Sequence, residues 1–162
     1  GANGKWKKIY GRPFPAKAEA TNEASLSKAV QTWDDTEQFI EDKYPVDVRY
    51  SLKLDCEVSQ NGFREYLLTQ MLVRRIPLSA NKKLLFTISD IDVPAPYTIE
   101  WKVLNRGVEA EKRNVIRGQI LNDKGYGRRN ESTTFKGQHL VECYAVKNGV
   151  VVAKDCIDVP IK

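Results

Sequence analysis

Between Val46 and Val58 the chain changes character at every residue. Val46, Val48, Tyr50, Leu52, Leu54, Cys56 and Val58 alternate with Asp47, Arg49, Ser51, Lys53, Asp55 and Glu57. Successive side chains of a strand point to opposite faces, so this rhythm makes one apolar face and one polar face, the pattern of a long half-buried strand. Such a face has to be covered by a second layer. The same period returns over Lys83 to Ser89, and over Tyr97 to Val103, where Tyr97, Ile99, Trp101 and Val103 alternate with Thr98, Glu100 and Lys102. Further short runs follow at Val115 to Leu121, Gln138 to Lys147 and Val150 to Ile161.

The last two runs are joined by Asn148-Gly149, a strong hairpin signal because both central residues of such a turn adopt φ > 0. With these two as the loop, Lys147 is expected opposite Val150, Val141 opposite Cys156 and His139 opposite Asp158. The same register sets Glu142 against Asp155, an unfavourable pair unless a cation or a bulge intervenes, with Lys154 or an arginine from another strand as the expected remedy. Before the strands, Thr21 or Asn22 caps a segment in which Leu26, Val30, Trp33 and Ile40 recur at helical spacing until Pro45, so a helix is expected over 21–45. Residues 63–78 carry apolar residues at both spacings and are read as a short helix. The expected fold is therefore mainly β, an immunoglobulin-like antiparallel β-sandwich over 46–162 preceded by one N-terminal amphipathic helix. The cysteine pattern of antibody domains is absent, and a small closed barrel is the competing architecture.

With one His and three Cys among 162 residues, zinc sites and His-dependent hydrolysis are not expected, because they need several imidazoles or thiolates converging on one point. No metal and no cofactor is expected. No apolar stretch approaches the roughly 20 residues of a membrane span, and no signal peptide is apparent, so a cytoplasmic protein is expected. A formal net charge of +5 suits a polyanionic partner such as a nucleotide or nucleic acid, and equally suits a merely solvated surface.

The informative stretch runs from Tyr97 to Tyr144. Trp101, in phase with Ile99 and Val103, suits core packing or base stacking. Asn105 opens a turn with Arg106 and Gly107. Arg117, expected in mid-strand, suits a phosphate, Glu109 or Glu131, since its planar fork serves either role. His139, in phase with Val141 and Cys143, suits a satisfied interior histidine or a ligand contact. Residues 122–132 form a glycine-loosened basic loop whose Arg128 and Arg129 are placed to meet phosphate, although it lacks the ending of a P-loop. The acidic pairs Asp34-Asp35 and Asp90 with Asp92 lack the surroundings of a two-metal transferase site and read as polar surface.

Taken together, Trp101, Val103, Asn105, Gly107, Glu109, Ala110, Arg117, Gly118, Glu131, Thr133, Gly137, His139, Val141, Cys143 and Tyr144 resemble the pattern of the adenylyl/guanylyl and SMODS C-terminal sensor family, AGS-C. The resemblance spans roughly Val46 to Ile161. It implies a non-catalytic domain that recognises a nucleotide-like ligand and regulates an attached nucleotidyltransferase in bacterial anti-phage signalling. It raises Arg117, His139, Glu131 and Thr133, with Asn105, Arg128, Arg129 and Trp101, as a shared ligand-binding set, and it carries over no catalytic residue. Residues 1–20 then read as a cloning remnant at Gly1 to Asn3 followed by a connector from a catalytic core, anchored by Trp6, Tyr10 and Phe14. Two rival readings are a nucleic-acid clamp using the basic face, and a protein-interaction domain docking the transferase core or an effector through that connector and an exposed sheet edge.

Overall fold

The alternating runs become paired strands, except that the first is a strand only from Leu52: residues 47–51 lie outside any strand and Val46 makes a single bridge to Val151. The computed structural model describes residues 37–60, 63–112, 117–134 and 136–162. The residues of the expected helix before Glu37, the connector and Asp34-Asp35 lie outside the described residues; within them that helix contributes a single turn, α1 (Ile40–Lys43). Strand β1 (Leu52–Gln60) turns into β2 (Phe63–Leu67), which passes directly into helix α2 (Leu68–Val73). The ambiguous stretch over 63–78 is thus a strand and then a helix, and each of its two periodicities is used.

The remaining elements are β3 (Lys82–Ile91), β4 (Thr98–Arg106), helix α3 (Val108–Lys112), β5 (Ile120–Asn122), β6 (Arg128–Thr133), β7 (Gly137–Lys147) and β8 (Val150–Ile161). They form two antiparallel sheets, ordered β2-β1-β3-β6 and β5-β4-β7-β8. The order β1-β3-β6 facing β5-β4-β7-β8 is that of strands A-B-E facing C′-C-F-G in an immunoglobulin sandwich, with β2 and α2 inserted after the first strand. Trp101 on the C-like strand and Cys143 on the F-like strand are directly paired. Phe86 is fully buried on the B-like strand and packs in the same core.

That core is built from the inward residues of both sheets, Leu54, Cys56, Leu84, Phe86, Trp101, Val141 and Val159 among them. Alternation fixes which residues face inward, and burial of these apolar side chains supplies the main driving force, about 1.5–3 kcal/mol for each large one.

The β7–β8 hairpin starts as expected, with Lys147 opposite Val150 across Asn148 (φ 51°) and Gly149 (φ 73°). It then departs from the expected register. Val146 pairs with Val151 but Ala145 pairs with Ala153, so Val152 is an extra residue in β8 and every later pair is displaced by one. Val141 consequently faces Ile157, His139 faces Val159 rather than Asp158, and Glu142 faces Cys156. The bulge relieves the Glu142–Asp155 conflict that the straight register would create. Its carbonyl is also used, since Val152 O accepts from both Arg49 N (2.9 Å) and Tyr50 N (3.1 Å).

One feature of β4 defies simple alternation, because Glu100, Lys102 and Leu104 on its outer face are as buried as Trp101 and Val103 on its inner face. The cover is the segment 37–50. Ile40, Ile120, Tyr144, Val146 and Val151 form a second small core beneath it. Lys102 Nζ meets Glu37 Oε1 at 2.6 Å and Glu142 Oε2 at 3.4 Å, and Lys43 Nζ meets Glu100 Oε1 at 2.8 Å. The covering segment thus brings an acid to the strand's lysine and a lysine to the strand's acid. Asp47 N then donates to Val151 O (2.9 Å), where Val46 and Val151 form a parallel bridge.

Candidate functional site

Asn105 and His139 are opposite residues of β4 and β7, each in phase with an inward valine, Val103 or Val141. Alternation therefore carries two polar side chains into the space between the sheets, where both are buried. His139 Nδ1 lies 2.8 Å from Asn105 Oδ1. Gly137 begins β7 in tight contact with the end of β4: its φ is +143°, and a Cβ there would come within 2.8 Å of Arg106 O.

From the opposite sheet, β6 turns Arg129, Glu131 and Thr133 inward while Arg128, Asn130 and Ser132 are exposed. Arg117, in the irregular run just before β5, reaches Glu131 with a forked contact, Nη1 to Oε2 at 2.6 Å and Nη2 to Oε1 at 3.3 Å. Arg129 Nε adds a third bond to Glu131 Oε1 at 2.9 Å. A carboxylate flanked by two guanidiniums is charge-assisted and geometrically well defined. Charged residues pointing inward on a sheet edge also discourage edge-to-edge association.

Asn105, Arg117, Glu131 and His139 line one cavity of about 200 Å³, whose remaining wall is largely Leu84, Phe86, Val103 and Val141. Four of the eight sequence-expected residues are brought together there, and Arg129 joins them through Glu131. The other three are not. Thr133 is fully buried, with its hydroxyl accepting from Lys82 N at 2.8 Å, a bond that fixes the start of β3. Trp101 is a core residue whose indole donates to Asp123 Oδ1 at 2.8 Å. Arg128 is exposed at the start of β6.

Two local expectations are corrected here. Arg128 and Arg129 lie on a strand and not in a loop, because the β3 edge is open to pairing and Phe86 and Thr87 recruit them. Arg117 lies outside any strand, β5 being only Ile120–Asn122. Gly118, next to it, packs so closely under the covering segment that a Cβ would come within 2.9 Å of Glu37 Cα.

A larger cleft, about 990 Å³, opens at the opposite end of the sandwich, where Tyr97, Glu100, Asp123 and Tyr126 are among its walls. Sequence reading missed it, since Glu100 falls on the polar phase of β4 and reads as solvent-facing until the covering segment is in place. Asp123 anchors one rim, with Oδ2 accepting from Gly125 N (2.8 Å) and Gly127 N (3.0 Å). Burial alone would raise its carboxyl, but the bonds from Gly127, Trp101, Gly125 and Tyr126 outweigh that and hold it below the usual aspartate value.

Among the described residues, no three His, Cys, Asp or Glu side chains converge as a metal site, and no helix is long and apolar enough to cross a membrane. Asp92 instead extends the β1–β3 contact, its Oδ1 accepting from Ser51 N at 2.7 Å and its N donating to Ser51 O at 3.3 Å.

Comparison with known proteins adds one finding. The profile of the Adenylyl/Guanylyl and SMODS C-terminal sensor domain matches residues 34–162. No curated protein matches the chain.

Proposed function

Since this chain belongs to the adenylyl/guanylyl and SMODS C-terminal sensor domain family, we propose that its ligand is a nucleotide or nucleotide-like anion, and that binding regulates an attached cytoplasmic nucleotidyltransferase in anti-phage signalling. The domain itself carries no reaction step. A sensor of this kind needs a group that is satisfied without ligand and better satisfied with it. The Arg117–Glu131 pair supports the reading: a forked guanidinium, the geometry that recognises phosphate, is held at the cavity mouth by an internal carboxylate. A phosphate would take Glu131's place on Arg117, while Arg129 retains Glu131 and so limits the cost of the exchange.

The cavity of about 200 Å³ is smaller than a whole nucleotide site, which typically needs about 300–1,000 Å³. The anionic group would therefore enter and the rest of the ligand would lie outside, along the exposed face of β6 with Arg128. His139 and Asn105 would meet the polar edge that reaches furthest in.

The test is a thermal-shift panel of mononucleotides and cyclic oligonucleotides. An active ligand raises Tm by mass action, by about 2.7 kcal/mol of stability at a hundredfold excess over Kd. Arg117→Ala should abolish the shift, whereas Glu131→Gln, which removes the competing charge, should strengthen binding. No shift with any nucleotide at millimolar concentration would reject the reading.

A further inference from the structure

The large cleft at the other end of the sandwich carries an observation that the Arg117 cavity leaves untouched. Glu100 lines the cleft and is 2% exposed. Its Oε1 accepts from Lys43 Nζ (2.8 Å) and Tyr44 OH (3.2 Å). Its Oε2 is buried with no hydrogen-bond partner among the described residues. An acceptor shut away from water without a donor is costly, more so when charged, and native structures rarely leave one without a reason.

The chemistry of the missing partner can be read from the surroundings. Lys43 already meets the charge of Glu100, so the free oxygen lacks a donor and not a second cation. Among the described residues no lysine or arginine lines the cleft and Asp123 does, which disfavours a phosphate there. Aromatic rings supply the rest of the recognition surface. Tyr97 and Tyr44 are partly buried, and Tyr126 is 85% exposed at the tip of a turn between Gly125 (φ 110°) and Gly127 (φ 60°). That turn is fixed from below by the two bonds to Asp123. An exposed ring on a pinned turn presents a stacking face with little further ordering to be lost.

We propose that this cleft is a binding site for an uncharged planar nitrogen heterocycle, which stacks on Tyr126 and donates an N–H to Oε2 of Glu100. Its volume of about 990 Å³ lies within the usual range for small-molecule sites, about 300–1,000 Å³. It is independent of the Arg117 cavity. Because Glu100 also holds Lys43 and Tyr44, occupancy is felt directly by the segment that covers the outer face of β4.

Calorimetric titration of the full chain with adenosine and guanosine, which carry amino donors and no phosphate, tests the proposal. Saturable binding is expected, weakened about tenfold by Tyr126→Ala, as loss of one base-stacking contact predicts, and weakened comparably by Glu100→Gln. Tyr126 is exposed, so that variant keeps its fold even if Glu100→Gln is destabilised. Arg117→Ala should leave nucleoside affinity unchanged while removing any nucleotide response, which separates the two sites. Absence of binding at millimolar nucleoside, binding unaffected by Tyr126→Ala, or preference for the diamine putrescine over both nucleosides would each overturn it.

Discussion

The ring of His139 and the amide of Asn105 meet across adjacent strands with Nδ1 and Oδ1 2.8 Å apart. An amide oxygen only accepts, so the contact is a hydrogen bond when Nδ1 carries the proton. With the proton on Nδ1 the imidazole is a donor toward β4, and its tautomer is set by a neighbour.

Nitrogen-15 NMR should accordingly report His139, the single histidine of the chain, as the Nδ1–H tautomer. Asn105→Ala should redistribute that signal and cost about 1–3 kcal/mol, the usual penalty for removing one partner of a buried bond. An Nε2–H signal in the parent protein would refute the assignment.

Asp123 ties Trp101 to the 125–127 turn. Asp123→Ala should destabilise the fold by about 1–3 kcal/mol, because the indole N–H is left buried without an acceptor. The same bonds hold the Asp123 carboxyl below its ordinary value. Their contribution is complete above the unfolded-chain value of about 3.9 and is lost as pH falls through the lower folded value. Chemical denaturation between pH 5 and 2, about that range, should show a smaller acid loss in Asp123→Asn than in the parent.

Gly118→Ala probes the covering segment sterically, since φ at this residue is not positive and the backbone tolerates alanine. The added methyl meets Glu37 Cα at 2.9 Å, so the segment must shift. A loss of about 1–3 kcal/mol is expected, typical of an overpacked contact, together with faster amide exchange at Ile120, whose N–H donates to Gln38 Oε1. Unchanged exchange would dissociate Gly118 from the segment.

The thiols divide by burial. Cys56 and Cys143 are fully buried and Cys156 is exposed. Burial, reinforced by Asp55 and Glu57, pushes the Cys56 thiol up to about 12, and burial with Asp123 and Asp155 raises Cys143 as well. Native maleimide labelling should modify Cys156 alone, with all three reacting in denaturant. Because both buried thiols have raised values, their contribution to stability is full below the unfolded thiol value of about 8.5 and declines as pH rises toward the folded one. A Tm that stays flat from pH 8 to 11, about the span of that decline, would contradict this.

The sandwich was legible because β1, β3, β4, β7 and β8 each send one phase of an alternating run into the core between the sheets, and a period of two leaves little choice of face. Strand β6 was not. Arg128 to Thr133 turns Arg129 and Glu131 inward, and a polar strand with a polar inner face has no hydrophobic rhythm to detect. The hairpin register was legible for its first pairs only, since a bulge at Val152 leaves no local mark in a run of valines. Pairing of Arg117 with Glu131 was among the expected alternatives, and an interior His139 was one of the two readings of that residue; Asn105, read as opening a turn, is instead a buried residue of β4 opposite His139. The Glu100 cleft was illegible for a different reason: its burial depends on residues 37–50, far away in sequence.

The two ion pairs that fasten residues 37–43 to β4 alternate in sign, minus over plus at Glu37–Lys102 and plus over minus at Lys43–Glu100. Laid down the other way round, the same four charged groups would oppose like to like at both positions, at a cost that a water-poor contact magnifies. The polarity of the polypeptide across this surface is thus encoded electrostatically. An apolar overlay of equal area would adhere as firmly yet tolerate reversal or slippage.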